Sequence, residues 1–236
     1  MKKETLKTIS IATVFAIAMS FLETAIVIYL RKLYYPAGFS FPLIGFIEPE
    51  ILNIEWIRET ATIIMLVCIA TLSAKKFYPR IAFFLYSFAI WDIFYYVWLK
   101  IFLNWPSSFL TWDLLFLIPW PWAGPVLAPV ICSITMIILA ICILHCEGKV
   151  KKLELNKKEW SFLIIGSLFI LYTFLVDYGK LVFNGYSKNF FLLANNREFL
   201  DIISLYTPIN YNWSIFILGE TIIILGIILF YSKYQK

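Results

Sequence analysis

Histidine, charge and catalytic signatures are what this chain has least of. His145 is the single histidine in 236 residues. A bis-histidine haem, a diiron cluster of the desaturase type and a histidine-ligated copper centre each need more imidazoles than that. Asp, Glu, Lys and Arg make up only 15% of the residues while 61% are hydrophobic, so one aqueous core cannot hold the apolar side chains. The cysteines (Cys68, Cys132, Cys142 and Cys146) all fall inside apolar blocks, and none forms a C-x-x-C pair. Small packing residues explain them without a disulfide framework. Cys142, His145 and Cys146 share a helical face, but three ligands at a bilayer edge leave packing as the default role. No Walker loop, G-x-G-x-x-G, G-x-S-x-G or H-E-x-x-H is present, and no cofactor is implied.

What is there comes in apolar blocks of about 20 residues, the length that carries a helix across ~30 Å of hydrocarbon. The blocks run from about 9 to 30, 54 to 74, 81 to 102, 126 to 146, 160 to 176 and 213 to 231. The first follows a basic start, as a signal peptide would, but it is too long for an h-region and contains Glu23. The expectation is a single all-α membrane domain over residues 1–236 with six transmembrane helices. Thirteen of the twenty basic residues fall in one set of alternate connections and termini, six in the other, and Arg58 stays inside a helix. That bias predicts a multi-pass protein of six helices with both termini cytoplasmic. The net charge of +5 follows from those flanking lysines and calls for no nucleic acid.

The segment from Trp91 to Pro129 departs from this pattern. It carries two Trp-Asp pairs, Lys100 within an aromatic run, and five prolines. Pro106, Pro119, Pro121 and Pro125 rule out one straight helix over 104–125. The expectation is a short interfacial or re-entrant helix between helices 3 and 4, over Thr111 to Ile118, with Thr111 as cap and Asp113 in its first turn. A second short surface helix is expected over Glu198 to Tyr206.

An ionised side chain at the centre of a lipid-facing helix costs ~2.5–3.5 kcal/mol on insertion scales. Glu23, Glu59, Asp92 and Glu220 facing lipid would together cost ~10 kcal/mol, so the sequence predicts that they face inward. Their heights along the helices place them in the outer half of the membrane or near its middle, which suggests one shared polar cavity open to the outside. Candidate ligand- or ion-binding residues are Glu23, Glu55, Arg58, Glu59, Asp92, Tyr96, Lys100, Asp113, Asp177 and Glu220. Asp92, Tyr96 and Lys100 recur every four residues, a stripe roughly 12 Å long. In a functional site Arg58 and Lys100 are expected to tune the acids or clamp an anion, and Asp113 with the proline-rich loop to form a lid. The bland alternative stays open: charges paired off as structural glue, with Arg58 bridging Glu55 and Glu59 and Lys100 meeting Asp92 or Glu220.

The segments WDIFYYVWLK, LTWDLLFLIP, GPVLAPV and NWSIFILGE together resemble a family of bacterial multi-pass inner-membrane proteins with no assigned activity. The resemblance spans most of the chain from Glu23 to Glu220. It implies about six helices and carries over no functional residue. Function is therefore expected from the charges: a transporter-like protein, or one binding a small cation, proton or polar ligand in a carboxylate-rich pocket. The alternatives are an accessory or assembly subunit of a larger membrane complex, and a membrane-embedded lipid-modifying enzyme with paired carboxylates. Expected partners are the lipid bilayer, with other membrane subunits or further copies of the chain.

Overall fold

Backbone N–H and C=O groups in hydrocarbon find no water, so a chain of this composition folds into helices that satisfy their own bonds. The structure, a computed structural model, describes residues 3–43, 49–150, 152–185 and 204–235. It contains α1 (Lys3–Tyr34), α2 (Pro49–Ser73), α3 (Phe77–Leu103), β1 (Trp112–Phe116), β2 (Trp122–Pro125), α4 (Leu127–Glu147), α5 (Lys157–Gly185) and α6 (Trp213–Lys233). All six helices are long and apolar enough to cross a membrane, and the protein is a multi-pass membrane protein. The helices outrun the apolar blocks at several ends: α1 begins at Lys3 and α2 at Pro49. Their polar first turns need no burial to stay helical.

α1, α3 and α4 lie side by side, α2 leans chiefly on α3, and α5 and α6 form a close pair that α6 joins to α4. Val27 and Ile28 of α1, Tyr96 and Leu99 of α3 and Val126 pack together, so the C-terminal halves of α1 and α3 meet the start of α4. That end of the bundle, called the hairpin end below, carries the β-strands. A second cluster marks the far end, where Ala12, Ala82, Phe83, Ile143 and Phe230 bring together α1, α3, α4 and α6. The α5–α6 pair is held by glycine. A Cβ on Gly166 would stand 2.6 Å from the Gly219 carbonyl oxygen, and one on Gly219 would stand 2.8 Å from the Gly166 oxygen. Only residues without side chains let two backbones approach so closely.

One expectation is corrected. Residues 111–118 do not form a helix; Trp112–Phe116 and Trp122–Pro125 pair antiparallel, with Trp112 opposite Pro125, Asp113 opposite Gly124 and Leu114 opposite Ala123. The physical reason lies in the ends. A helix of about eight residues leaves four N–H and four C=O groups unbonded at each respective terminus, nearly all it has. A hairpin pairs those groups across its two arms, and Pro119 and Pro121 fall in the turn where no N–H is required. Thr111 therefore does not cap a helix; its hydroxyl accepts the Ser108 N–H at 3.1 Å and its carbonyl accepts the Val126 N–H at 3.0 Å. The surface helix expected over 198–206 lies largely outside the described residues.

Candidate functional site

Charged residues of three helices and apolar residues of the hairpin meet around a cavity of about 140 Å³ at the hairpin end. Glu23 and Arg31 come from α1; Glu55, Arg58 and Glu59 from one face of α2; Asp92, Tyr95 and Tyr96 from α3; Leu114 to Leu117 from the hairpin. Spacings of three and four residues put the α2 trio on a common face. Room of this size holds about five water molecules at ~30 Å³ each.

Arg58 is the hub. Its guanidinium donates from Nε to Glu55 at 3.0 Å and forms an ion pair with Glu23 across to α1. Glu23 also accepts from the Thr62 hydroxyl at 3.0 Å. The expected bridge from Arg58 thus reaches Glu55 but joins it to Glu23 rather than to Glu59. Glu59 instead turns to the hairpin. Both its oxygens lie 3.0 Å from the Leu117 N–H, so an α2 carboxylate receives the end of the first hairpin arm. Asp92 accepts from the Ser133 hydroxyl of α4 at 2.8 Å.

Asp113 serves the fold differently from the lid role expected of it. It is fully buried, and Arg31 donates to its Oδ1 at 2.7 Å. The Arg31 guanidinium sits 3.9 Å from the ring centre of Trp105 and 4.4 Å from that of Phe39, a cation between two aromatic faces. Burial pushes the Asp113 carboxyl above its ordinary range, opposed by the Arg31 charge and by the Leu114 N–H bonded to it at 2.8 Å. The pair fastens the hairpin to α1.

Asp113 does not line the cavity, and three more expected members lie elsewhere. Lys100 is exposed and turns away from Asp92, donating to the carbonyls of Pro106 at 3.0 Å and Asn104 at 3.4 Å. Lys100 sits in the last turn of α3, about 12 Å along the axis from Asp92, and the carbonyls just past the helix end are the acceptors within reach of its ammonium. Asp177 is half-buried on α5 beside Lys180 and Tyr206, and it does not line the cavity. Glu220 is buried, but it faces a second cavity, where its Oε2 accepts from the Thr135 hydroxyl at 2.8 Å. Of the four acids expected to converge, Glu23, Glu59 and Asp92 do so, joined by Glu55, and Glu220 does not.

Nothing in the sequence singles out Arg31, Tyr95, Thr62, Ser133 or Thr135 as site residues. Arg31 carries the signature of an ordinary helix-end cation, and its neighbours Trp105 and Asp113 are 74 and 82 positions away. Hydroxyls of Ser and Thr in apolar helices are common, and nothing local marks the ones that meet a carboxylate. Among the described residues, no three Asp, Glu, His or Cys side chains come together in a way that could hold a metal ion. Comparisons with protein-family models, with curated proteins and with solved structures find no match to this chain.

Proposed function

We propose that the cavity ringed by Glu23, Glu55, Arg58, Glu59 and Asp92 is a ligand pocket facing the outside of a bacterial inner membrane. It would bind a small organic cation, a proton or another small polar ligand, in the manner of a transporter. The observation that carries this reading is the gathering of four carboxylates and two guanidiniums around a single void, where Arg58 is shared by Glu23 and Glu55 and Arg31 is held by Asp113. Structural pairing alone calls for contact, not for empty space between the partners. Glu23 and Glu55 share Arg58, whereas Asp92 and Glu59 are held by neutral donors, Ser133 and the hairpin backbone at Leu117. Neither Asp92 nor Glu59 is engaged in a direct salt bridge among the described residues, which leaves both carboxyl groups without a cation of their own and able to meet one on a ligand. The basic connections gathered at the far end support both termini being cytoplasmic, which turns the hairpin end outward.

Two measurements test this. In a variant lacking native cysteines, Leu115→Cys should react with a membrane-impermeant maleimide added to intact cells. Reaction only after permeabilisation would reverse the orientation. In proteoliposomes with an internal pH indicator and an imposed dimethylammonium gradient, the protein should move protons or the amine. Asp92→Asn and Glu59→Gln should abolish that movement while the purified protein stays monodisperse. Fluxes unchanged in both variants would sink the pocket as the working site.

A further inference from the structure

The second cavity has about 540 Å³ of space between α3, α4, α5 and α6. Leu139, Ile143, Leu163 and Leu171 are typical of its wall, and among the described residues no lysine, arginine or histidine lines it. Ile164, Ser167 and Leu168 line it and are also exposed on α5. The cavity therefore opens sideways, on the apolar flank of the bundle, where bilayer and not water is the neighbouring solvent. One acid projects into this apolar room. Glu220 is 6% exposed and its Oε2 takes the Thr135 hydroxyl at 2.8 Å. Its Oε1 is buried and has no hydrogen-bond partner among the described residues. The Cys132 thiol beside this carboxylate is a weak donor at most. A buried acceptor left without a good donor is costly, so a ligand that brings one gains from supplying it.

We propose that this cavity is a lateral binding site for a membrane-dissolved amphiphile. Its apolar body fills the space between α4 and α5, and its hydrogen-bond-donating head, an ammonium or a hydroxyl, bonds Glu220 Oε1. The sideways mouth supplies the route, the apolar wall the affinity for a chain or ring system, and the single carboxylate the choice of head. This site adjoins the polar pocket at the hairpin end but is built on a different acid, and neither reading depends on the other being correct.

Trp122 and Trp160 line the cavity and report on it. The protein in nanodiscs is titrated with terminally brominated dodecylamine and, separately, with terminally brominated dodecanol, bromine quenching nearby tryptophan. Saturable quenching is expected for at least one probe, on top of the linear loss caused by bromine in the surrounding lipid. Glu220→Gln should weaken the bound probe roughly tenfold, the scale of one charge-assisted hydrogen bond. Loss confined to the amine assigns an ammonium head; loss confined to the alcohol assigns a hydroxyl. Ser167→Phe, at an exposed position that leaves the core untouched, should block the mouth and remove the saturable component for both. Quenching that never saturates, or that saturates equally in Glu220→Gln and Ser167→Phe, would mean lipid contact only and would overturn the proposal.

Discussion

Two cavities share a wall and are built on opposite plans. Trp122, Cys132, Met136 and Phe174 face both. On the hairpin side the lining is charged and the void small, about 140 Å³; on the other it is apolar and nearly four times larger, about 540 Å³. On the hairpin side the acids take donors from distant parts of the chain: Arg58 and Thr62 for Glu23, Leu117 for Glu59, Ser133 for Asp92. Ion pairs and hydrogen bonds act only at contact, so such a network draws α1, α2, α3 and the hairpin together. The α5–α6 pair is fixed instead by backbone contact at Gly166 and Gly219, which demands nothing of the space beside it. Polar contacts join α1 and α2 where these helices barely touch, and glycine joins α5 and α6 where they meet closely.

Breaking the charged half should have the largest effect. Arg31→Ala leaves the Asp113 carboxylate buried without its cation, and should cost about 3–5 kcal/mol, read from unfolding in mixed detergent micelles. Replacing both partners, Arg31→Met with Asp113→Leu, should restore most of that. A single variant within about 1 kcal/mol of the parent would show that the pair does not hold the hairpin. The apolar half should break through its seam, since Gly166→Ala puts a methyl against the Gly219 carbonyl and Ile223. Overpacking of that kind costs about 1–3 kcal/mol and should show as lowered thermal stability with the hairpin still protected from proteolysis. The smallest effects sharpen the contrast. Thr135→Val removes the hydroxyl donor to Glu220, whereas Thr62→Val leaves Glu23 its Arg58. The first should cost about 1–2 kcal/mol and the second less than about 1; the reverse order would mean that Glu220 is satisfied some other way.

Much of the fold is legible in the chain because lipid is a strict solvent. Blocks of Ile, Leu and Phe near twenty residues admit one answer, and each corresponds to a helix. The hairpin is not legible in that way. Thr111 and Asp113 before a leucine run imitate a capped helix, and only the prolines at 119, 121 and 125 hint that the backbone bonds across rather than along. The acids were legible by cost, but height along a helix says nothing of which way a side chain faces around it. Glu220 matches the others in depth and lies on the far side of Cys132 and Met136. Lys100 shares a four-residue stripe with Asp92 and Tyr96, yet the carbonyls at the end of α3 draw it away. The partners of each acid sit tens of residues distant, a relation that no local spacing encodes.

One residue, Val126, separates β2 from α4, and its N–H is tied to Thr111 while that of Leu127 is tied to Phe109. A single residue spans at most about 3.6 Å, so there is no slack between strand and helix. The hairpin and the first turns of α4 therefore behave as one lever arm. Its near end rests on the Glu59 carboxylate, and its far part carries Ser133, the donor to Asp92, and Thr135, the donor to Glu220. A force that lifts one end must tug on both acids at the other.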